Sequence, residues 1–277
     1  MISANSKTLY QHVDFLTSIR PYRNYKNLRS LQKAADYIEK EFAKTDLKIS
    51  RQSWIAKENK YENILASFQP EKQKRFVIGA HYDVYKEQEG ADDNASSVAG
   101  LLEMARIISQ RKFKLDYGID FVSYCLEEPP FFRTKEMGSY IHAKKAFKEK
   151  QDIIGMISME MIGYYREEKN NPNQEENFLI VSGIKKFDDF NKHISNLLKS
   201  PGLMNSRRLS YADDYRNNGP SDHRNYWKFN YPGVMVIGTG GKGNPHYHKK
   251  TDQIHTLNFD IMTSAVNSII YALINFE

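Results

Sequence analysis

The chain has 277 residues, of which 40% are hydrophobic, enough to bury a substantial core, and a single domain over residues 1–277 is expected. Its 40 Lys+Arg against 34 Asp+Glu leave a formal charge of +6, yet the basic residues are dispersed and form no stripe that would grip nucleic acid. Cys125 is the single cysteine, which excludes an intrachain disulfide and a cysteine-based zinc module.

No apolar run approaches the ~20 residues of a membrane-spanning helix, so no membrane partner is expected. Residues 1–20 are polar and lack a signal-type apolar stretch. The expectation is a soluble, cytoplasmic protein, with an exported mature form left open.

In residues 27–45, Leu31, Ala35, Ile38 and Phe42 recur at helical spacing and predict an amphipathic helix. Residues 47–55, 61–68 and 75–80 read as the first strands of a sheet. A helix follows at 94–110, with Val98, Leu101, Leu102, Ala105 and Ile108 on its apolar face. Further strands are predicted at 117–126, 153–159, 178–181 and 234–237, and helices at 138–148, 187–199 and 259–276. This alternation predicts an α/β fold, with a mostly parallel mixed central sheet covered by helices on both faces. The active site of such a fold is expected at the carboxyl ends of the strands.

The reactive residues fall where that rule puts them. His81 and Asp83 follow the strand ending at Ala80, Glu127 and Glu128 the one ending at Leu126, and Glu160 the one ending at Met159. His248 lies in the loop after the strand ending at Ile237, and Asp93 sits at the entry to the helix that begins near Asn94. Imidazole and carboxylate are ordinary zinc ligands, and two histidines with three carboxylates suit a pair of ions, bridged by Asp93. Paired ions can clamp both the attacking water and the carbonyl of a scissile amide. Glu127, beside a ligand but facing the other side of an extended segment, is then placed as the general base. Each element alone has a plainer reading. Glu127 and Glu128 suit a solvated corner, Asp92 and Asp93 a helix N-cap, and Cys125 a small buried hydrophobe.

Six separated motifs carry a resemblance. They are Gly79-Ala80-His81-Tyr82-Asp83, Gly90-Ala91-Asp92-Asp93-Asn94-Ala95-Ser96, Glu127-Glu128, Met161-Ile162-Gly163 after an acidic residue, Ser221-Asp222-His223, and Tyr247-His248 followed by Thr251-Asp252. In order and spacing, from about Arg75 to Asp252, they are similar to metallopeptidase family twenty-eight, which includes leucyl-type aminopeptidases, glutamate carboxypeptidase and, as relatives, glutaminyl cyclases. The resemblance implies that His81, Asp93 as bridge, Glu128, Glu160 and His248 hold two zinc ions, one being the alternative. It implies Glu127 as the catalytic base and Asp83 as a carboxylate that orients His81, a partner that metal-bound histidines generally need. His246 competes with His248 as the ligand of the last loop.

The chain also departs from the family pattern. Glu160 stands where Asp is usual, Ser96-Ser97 replaces Ser-Gly, and Pro129-Pro130-Phe131-Phe132-Arg133 replaces a Gly-containing turn. Phe131, Phe132, Tyr164, Tyr165 and Tyr226 are candidate walls of a side-chain pocket, and Asp222 and His223 are read as bordering it. The expected function is hydrolysis of N-terminal peptide bonds on a peptide substrate. A one-zinc glutaminyl cyclase-like transferase and a non-catalytic binding relative are the alternatives.

Overall fold

The computed structural model describes residues 3–165, 177–200, 202–214, 218–238 and 243–277. Two helices, α1 (Ser6–Ser18) and α2 (Leu28–Phe42), lead into β1 (Lys48–Ala56), β2 (Asn59–Phe68) and β3 (Lys74–His81). There follow α3 (Ser97–Arg111), β4 (Gly118–Tyr124), α4 (Gly138–Lys148) and β5 (Asp152–Glu160). The chain continues through β6 (Phe178–Ile184), α5 (Asp188–Leu198), β7 (Asn205–Tyr211), α6 (His223–Trp227), β8 (Gly233–Gly238) and α7 (Phe259–Ile274). Among the described residues, no helix is long and apolar enough to cross a membrane.

The strands form one mixed sheet in the order β1-β2-β4-β3-β5-β8-β6-β7. Its centre, β4-β3-β5-β8, is parallel throughout, while β1, β2 and the β6–β8 pairing are antiparallel. The carboxyl ends of β4, β3, β5 and β8 therefore stand side by side on one edge, which is where the predicted ligands converge.

Alternation along the strands divides the core. Phe76, Ile78, Ile119 and Phe121 pack in the larger cluster with residues of α1, α2, α3 and α7. Val77, Val122 and Tyr124 face the opposite way, against Ala143 and Ala146 of α4 and Tyr226 of α6. Adjacent residues of one strand thus enter different layers, as the two-residue period of a strand requires. Gly79 lies among them, where a Cβ would fall 2.2 Å from the Tyr124 ring.

Elements absent from the sequence reading are α1, β7 and the five-residue α6. In α1 the buried Leu9, Val13 and Leu16 form a helical stripe, and the Asn5 side chain caps the helix by accepting Thr8 N at 3.0 Å. The predicted helix at 94–110 begins only at Ser97. Residues Ala91–Ser96 form a wide turn in which Asp93 (φ −104°, ψ 88°) and Asn94 (φ −136°, ψ 31°) leave helical geometry. Gly90 opens that turn at φ 59°, and a Cβ there would fall 2.3 Å from the Asp93 carbonyl oxygen.

Candidate metal centre

The ligand candidates meet in two groups that share Asp93, and Glu127 forms a third with His81 and Glu128. His81 Nε2 lies 3.4 Å from Asp93 Oδ1 and 3.5 Å from Glu160 Oε2. His248 Nε2 lies 3.2 Å from Asp93 Oδ2 and 3.4 Å from Glu128 Oε2. Asp93 offers one oxygen to each group, which is the geometry of a bridging carboxylate. Donor atoms at the usual zinc distances in a tetrahedral shell stand about 3.3 Å from one another, so both groups fit zinc. Asp93 Oδ2 and Glu128 Oε1 are also buried without a hydrogen-bond partner among the described residues. His246 belongs to none of these groups, and its Nδ1 pairs with Thr251 Oγ1 at 3.0 Å.

The electrostatics agree with the donor chemistry. Burial first, and then Asp93, push Glu128 up to about 8. Glu127 is raised well above the usual carboxylate range by burial and by Glu128 and Glu160, against the pull of His81. Burial pulls His248 down, but the facing carboxylates of Asp93 and Glu128 outweigh that and carry it to about 10. Asp93 is pushed up by burial, yet His248 and His81 hold it well below its ordinary range. Carboxylates crowded this way share too few positive partners, and a divalent cation is the natural complement.

Backbone hydrogen bonds lock the loops. The Asp252 carboxylate accepts Asp92 N at 2.8 Å and Asp93 N at 3.1 Å. Asp92 Oδ1 accepts Gly163 N and Tyr164 N, each at 2.9 Å, and its Oδ2 accepts the Asn244 amide at 2.8 Å. Asn94 ties the same turn to β5, donating to Met159 O at 3.0 Å and accepting Met161 N at 3.1 Å. Ser221 donates its hydroxyl to Glu160, the ligand candidate at the end of β5. Three residues at the rim, Leu126, Met161 and His248, hold positive φ (65°, 43° and 57°), strain of the kind that gathers at functional sites.

Asp83 acts differently from the expectation. Its carboxylate stands 3.6 Å from His81 Nδ1, beyond hydrogen-bond range, and the ring nitrogen pairs instead with the Asp83 backbone carbonyl at 3.1 Å. The carboxylate oxygens are engaged by Glu127 N and Glu128 N, each at 3.1 Å.

The model of Peptidase family M28 matches residues 63–273. The chain belongs to peptidase family M28. It is 32% identical to the uncharacterized protein YfbL of Escherichia coli (strain K12), over 98% of this chain and 88% of that protein. It is 27% identical to leucine aminopeptidase 1 of Pyrenophora teres f. teres, over 91% of this chain, and spans 65% of that relative's length. In fold it resembles the leucine aminopeptidase precursor of Bacteroides thetaiotaomicron, with 20% identity, a TM-score of 0.79, and coverage of 99% of this chain and 98% of that one. A glutaminyl cyclase of the same bacterium, solved with N-acetylhistamine, is equally similar, at 20% identity and TM-score 0.78, covering 99% of both chains.

Within this M28 chain the aromatic wall candidates separate. Phe131 is fully buried between Tyr25 and Tyr61, at ring distances of 5.5 and 5.9 Å, so it packs the core instead of lining a pocket. Tyr226 is equally buried, its hydroxyl 2.7 Å from Tyr124 Oη and 2.6 Å from His142 Nδ1. Tyr165 joins the large core cluster. Phe132 and Tyr164 are half-buried, Phe132 near the Arg133 and Arg224 guanidinium groups and Tyr164 edge-on to His246 at 5.7 Å. Asp222 is buried and pushed up to about 7, by burial against the pull of His81. His223 packs edge-on to Trp227 at 4.7 Å, and burial pushes it down to about 3.

Two contributors went unread in the sequence. The fully buried Arg23 donates to the carbonyls of Leu16, Tyr82, Glu89 and Gly90, pinning the loop between β3 and the Asp93 turn. Tyr85 stacks on the His248 ring at 4.1 Å, with Tyr247 stacked on the same ring at 3.9 Å. A lone Arg or Tyr in a polar stretch carries no periodic or motif signal, so neither could be singled out.

Proposed function

We propose that the protein is a zinc-dependent aminopeptidase that removes the N-terminal residue of a peptide. The observation carrying this reading is that two His–carboxylate groups share Asp93. His81 and Glu160 would complete one zinc site, and His248 and Glu128 the other. Zinc bound there would supply Lewis-acid polarisation of the scissile carbonyl and make a water molecule easier to deprotonate.

The chain's own residues carry the protons. Glu127 reaches the cluster, its Oε2 3.9 Å from His81 Nε2, without belonging to either group that shares Asp93. It takes the proton of the attacking water, whose oxygen bonds to the carbonyl carbon. As the C–N bond breaks, Glu127 returns the proton to the departing nitrogen. Asp83 positions Glu127 by holding its backbone amide, and the carboxylate-rich centre attracts the ammonium of the substrate's free N-terminus.

A panel of free and N-acetylated peptides, incubated with zinc-replete protein and followed by mass spectrometry, tests this reading. Free peptides should lose one N-terminal residue, and the acetylated ones should stay intact. Loss of ammonia from peptides beginning with Gln, without chain cleavage, would replace the proposal with a cyclase.

A further inference from the structure

Beside the centre, and sharing His248 with it, lies a cavity of about 630 Å³ that the mechanism above does not use. Its charge is opposite to that of the centre, because among the described residues Lys26, Lys86 and Lys250 line it against one acid, Glu87. Lys86 Nζ sits 4.7 Å from the Tyr85 ring centroid and Lys26 Nζ 5.7 Å from that of Tyr25, so two ammonium groups are held over rings that wall the cavity. Gln88 also lines it. That side chain is only 3% exposed, yet its Nε2 has no acceptor among the described residues. A buried amide donor left unpaired is destabilising, and an acceptor brought by a ligand would relieve it.

We propose that this cavity is a subsite for a carboxylate on the leaving-group side of the substrate, with Gln88 as hydrogen-bond donor and the lysines as the attracting charge. The inference rests on the aminopeptidase reading for its polarity. The substrate's N-terminal ammonium is drawn to the carboxylates around Asp93 and repelled by the lysines, so the opposite end of the scissile bond faces the cavity. Tyr85 links the two regions, since its ring walls the cavity and stacks on His248. The carboxylate is either the α-carboxylate of a dipeptide or an acidic side chain just after the scissile bond.

The test compares kcat/KM on zinc-replete protein for two substrate pairs. Leu-Ala against Leu-Ala-amide reads the α-carboxylate, and Leu-Glu-amide against Leu-Gln-amide reads the side chain. One pair should favour its carboxylate member by about tenfold, as expected for a hydrogen bond to a charged group in a basic site. Gln88→Leu should reduce that ratio, and so should Lys250→Ala, an exposed position whose replacement leaves the core intact. Ratios near one in both pairs, or a preference that neither variant alters, would overturn the subsite. Calorimetry with N-acetylalanine and N-acetylalaninamide separates this outcome from failure of the hydrolytic reading. Binding of the acid alone, lost in Gln88→Leu, supports the subsite even if no peptide is cut. Binding that Gln88→Leu leaves intact places the carboxylate elsewhere and overturns it.

Discussion

Asp83 holds His81 through its backbone carbonyl, 3.1 Å from Nδ1, while its carboxylate serves the amides of the neighbouring Glu127-Glu128 segment. Every residue type carries that carbonyl, so Asp83→Asn should leave the His81 ring in place. Asparagine keeps one acceptor oxygen but presents an NH₂ group to the second amide, which displaces the glutamates. At matched zinc occupancy we expect kcat lowered by about 10–100-fold, the usual effect of losing a supporting partner, and zinc held more weakly because the Glu128 amide is one of the two that Asp83 fixes. Zinc analysis alongside steady-state kinetics checks this. A parent-like rate per bound zinc would show that the Asp83 carboxylate does not hold Glu127 in place.

Glu127→Gln and Glu128→Gln form an internal control. Glutamine keeps the shape of the side chain but accepts no proton at neutral pH, so the first variant should retain zinc and lose about 10²–10⁴ in turnover. The second alters an oxygen 3.4 Å from His248 Nε2 and should lose metal together with rate. Rates compared at matched zinc occupancy decide the matter. Parent-like turnover in Glu127→Gln would remove the proposed base.

The ligand candidates were legible because they lie at the ends of β3, β4, β5 and β8 or just beyond them, and those strands form the parallel centre of the sheet. Their convergence follows from topology, which the alternation of strands and helices already encodes. Side-chain direction within an irregular turn is not encoded that way. Phe131 and Phe132 are adjacent and alike in chemistry, yet one fills the space between Tyr25 and Tyr61 while the other is half-buried near the Arg133 and Arg224 guanidinium groups. The start of α3 was misplaced for a related reason. Asp252, more than 150 residues away in sequence, captures the amides of Asp92 and Asp93 and bends the chain out of the helix that local propensity favours.

Zinc titration should reach two ions per chain, and chelation should lower the melting temperature, since metal bound only to the folded state stabilises it. His81→Ala and His248→Ala should each reduce the zinc retained after dialysis. His246→Ala should retain it, because that ring is engaged by Thr251 instead of by the carboxylates. Saturation at one ion would contradict the two-site proposal and favour the cyclase alternative.

His142 of α4, buried against Tyr226 of α6, ties the stability of the fold to pH. His142 is 6% exposed, and burial lowers its pKa from 6.5 to about 4, with its Nδ1 2.6 Å from Tyr226 Oη. The folded state therefore keeps the ring neutral in a range where the unfolded chain protonates it. Between these two values the unfolded state binds more protons, so stability falls as pH drops from about 6.5 towards 4, and this contribution levels off below. At pH 5 the loss relative to neutral pH is about 2 kcal/mol from this group alone. Gln at position 142 keeps a polar partner for Tyr226 but does not titrate, so His142→Gln should unfold with a shallower dependence on pH. Urea denaturation at pH 7 and pH 5, with chelator present to keep zinc linkage out of the comparison, measures the difference. Equal pH slopes in the parent and the variant would show that His142 stays titratable in the folded protein, and its burial would then carry no acid sensitivity.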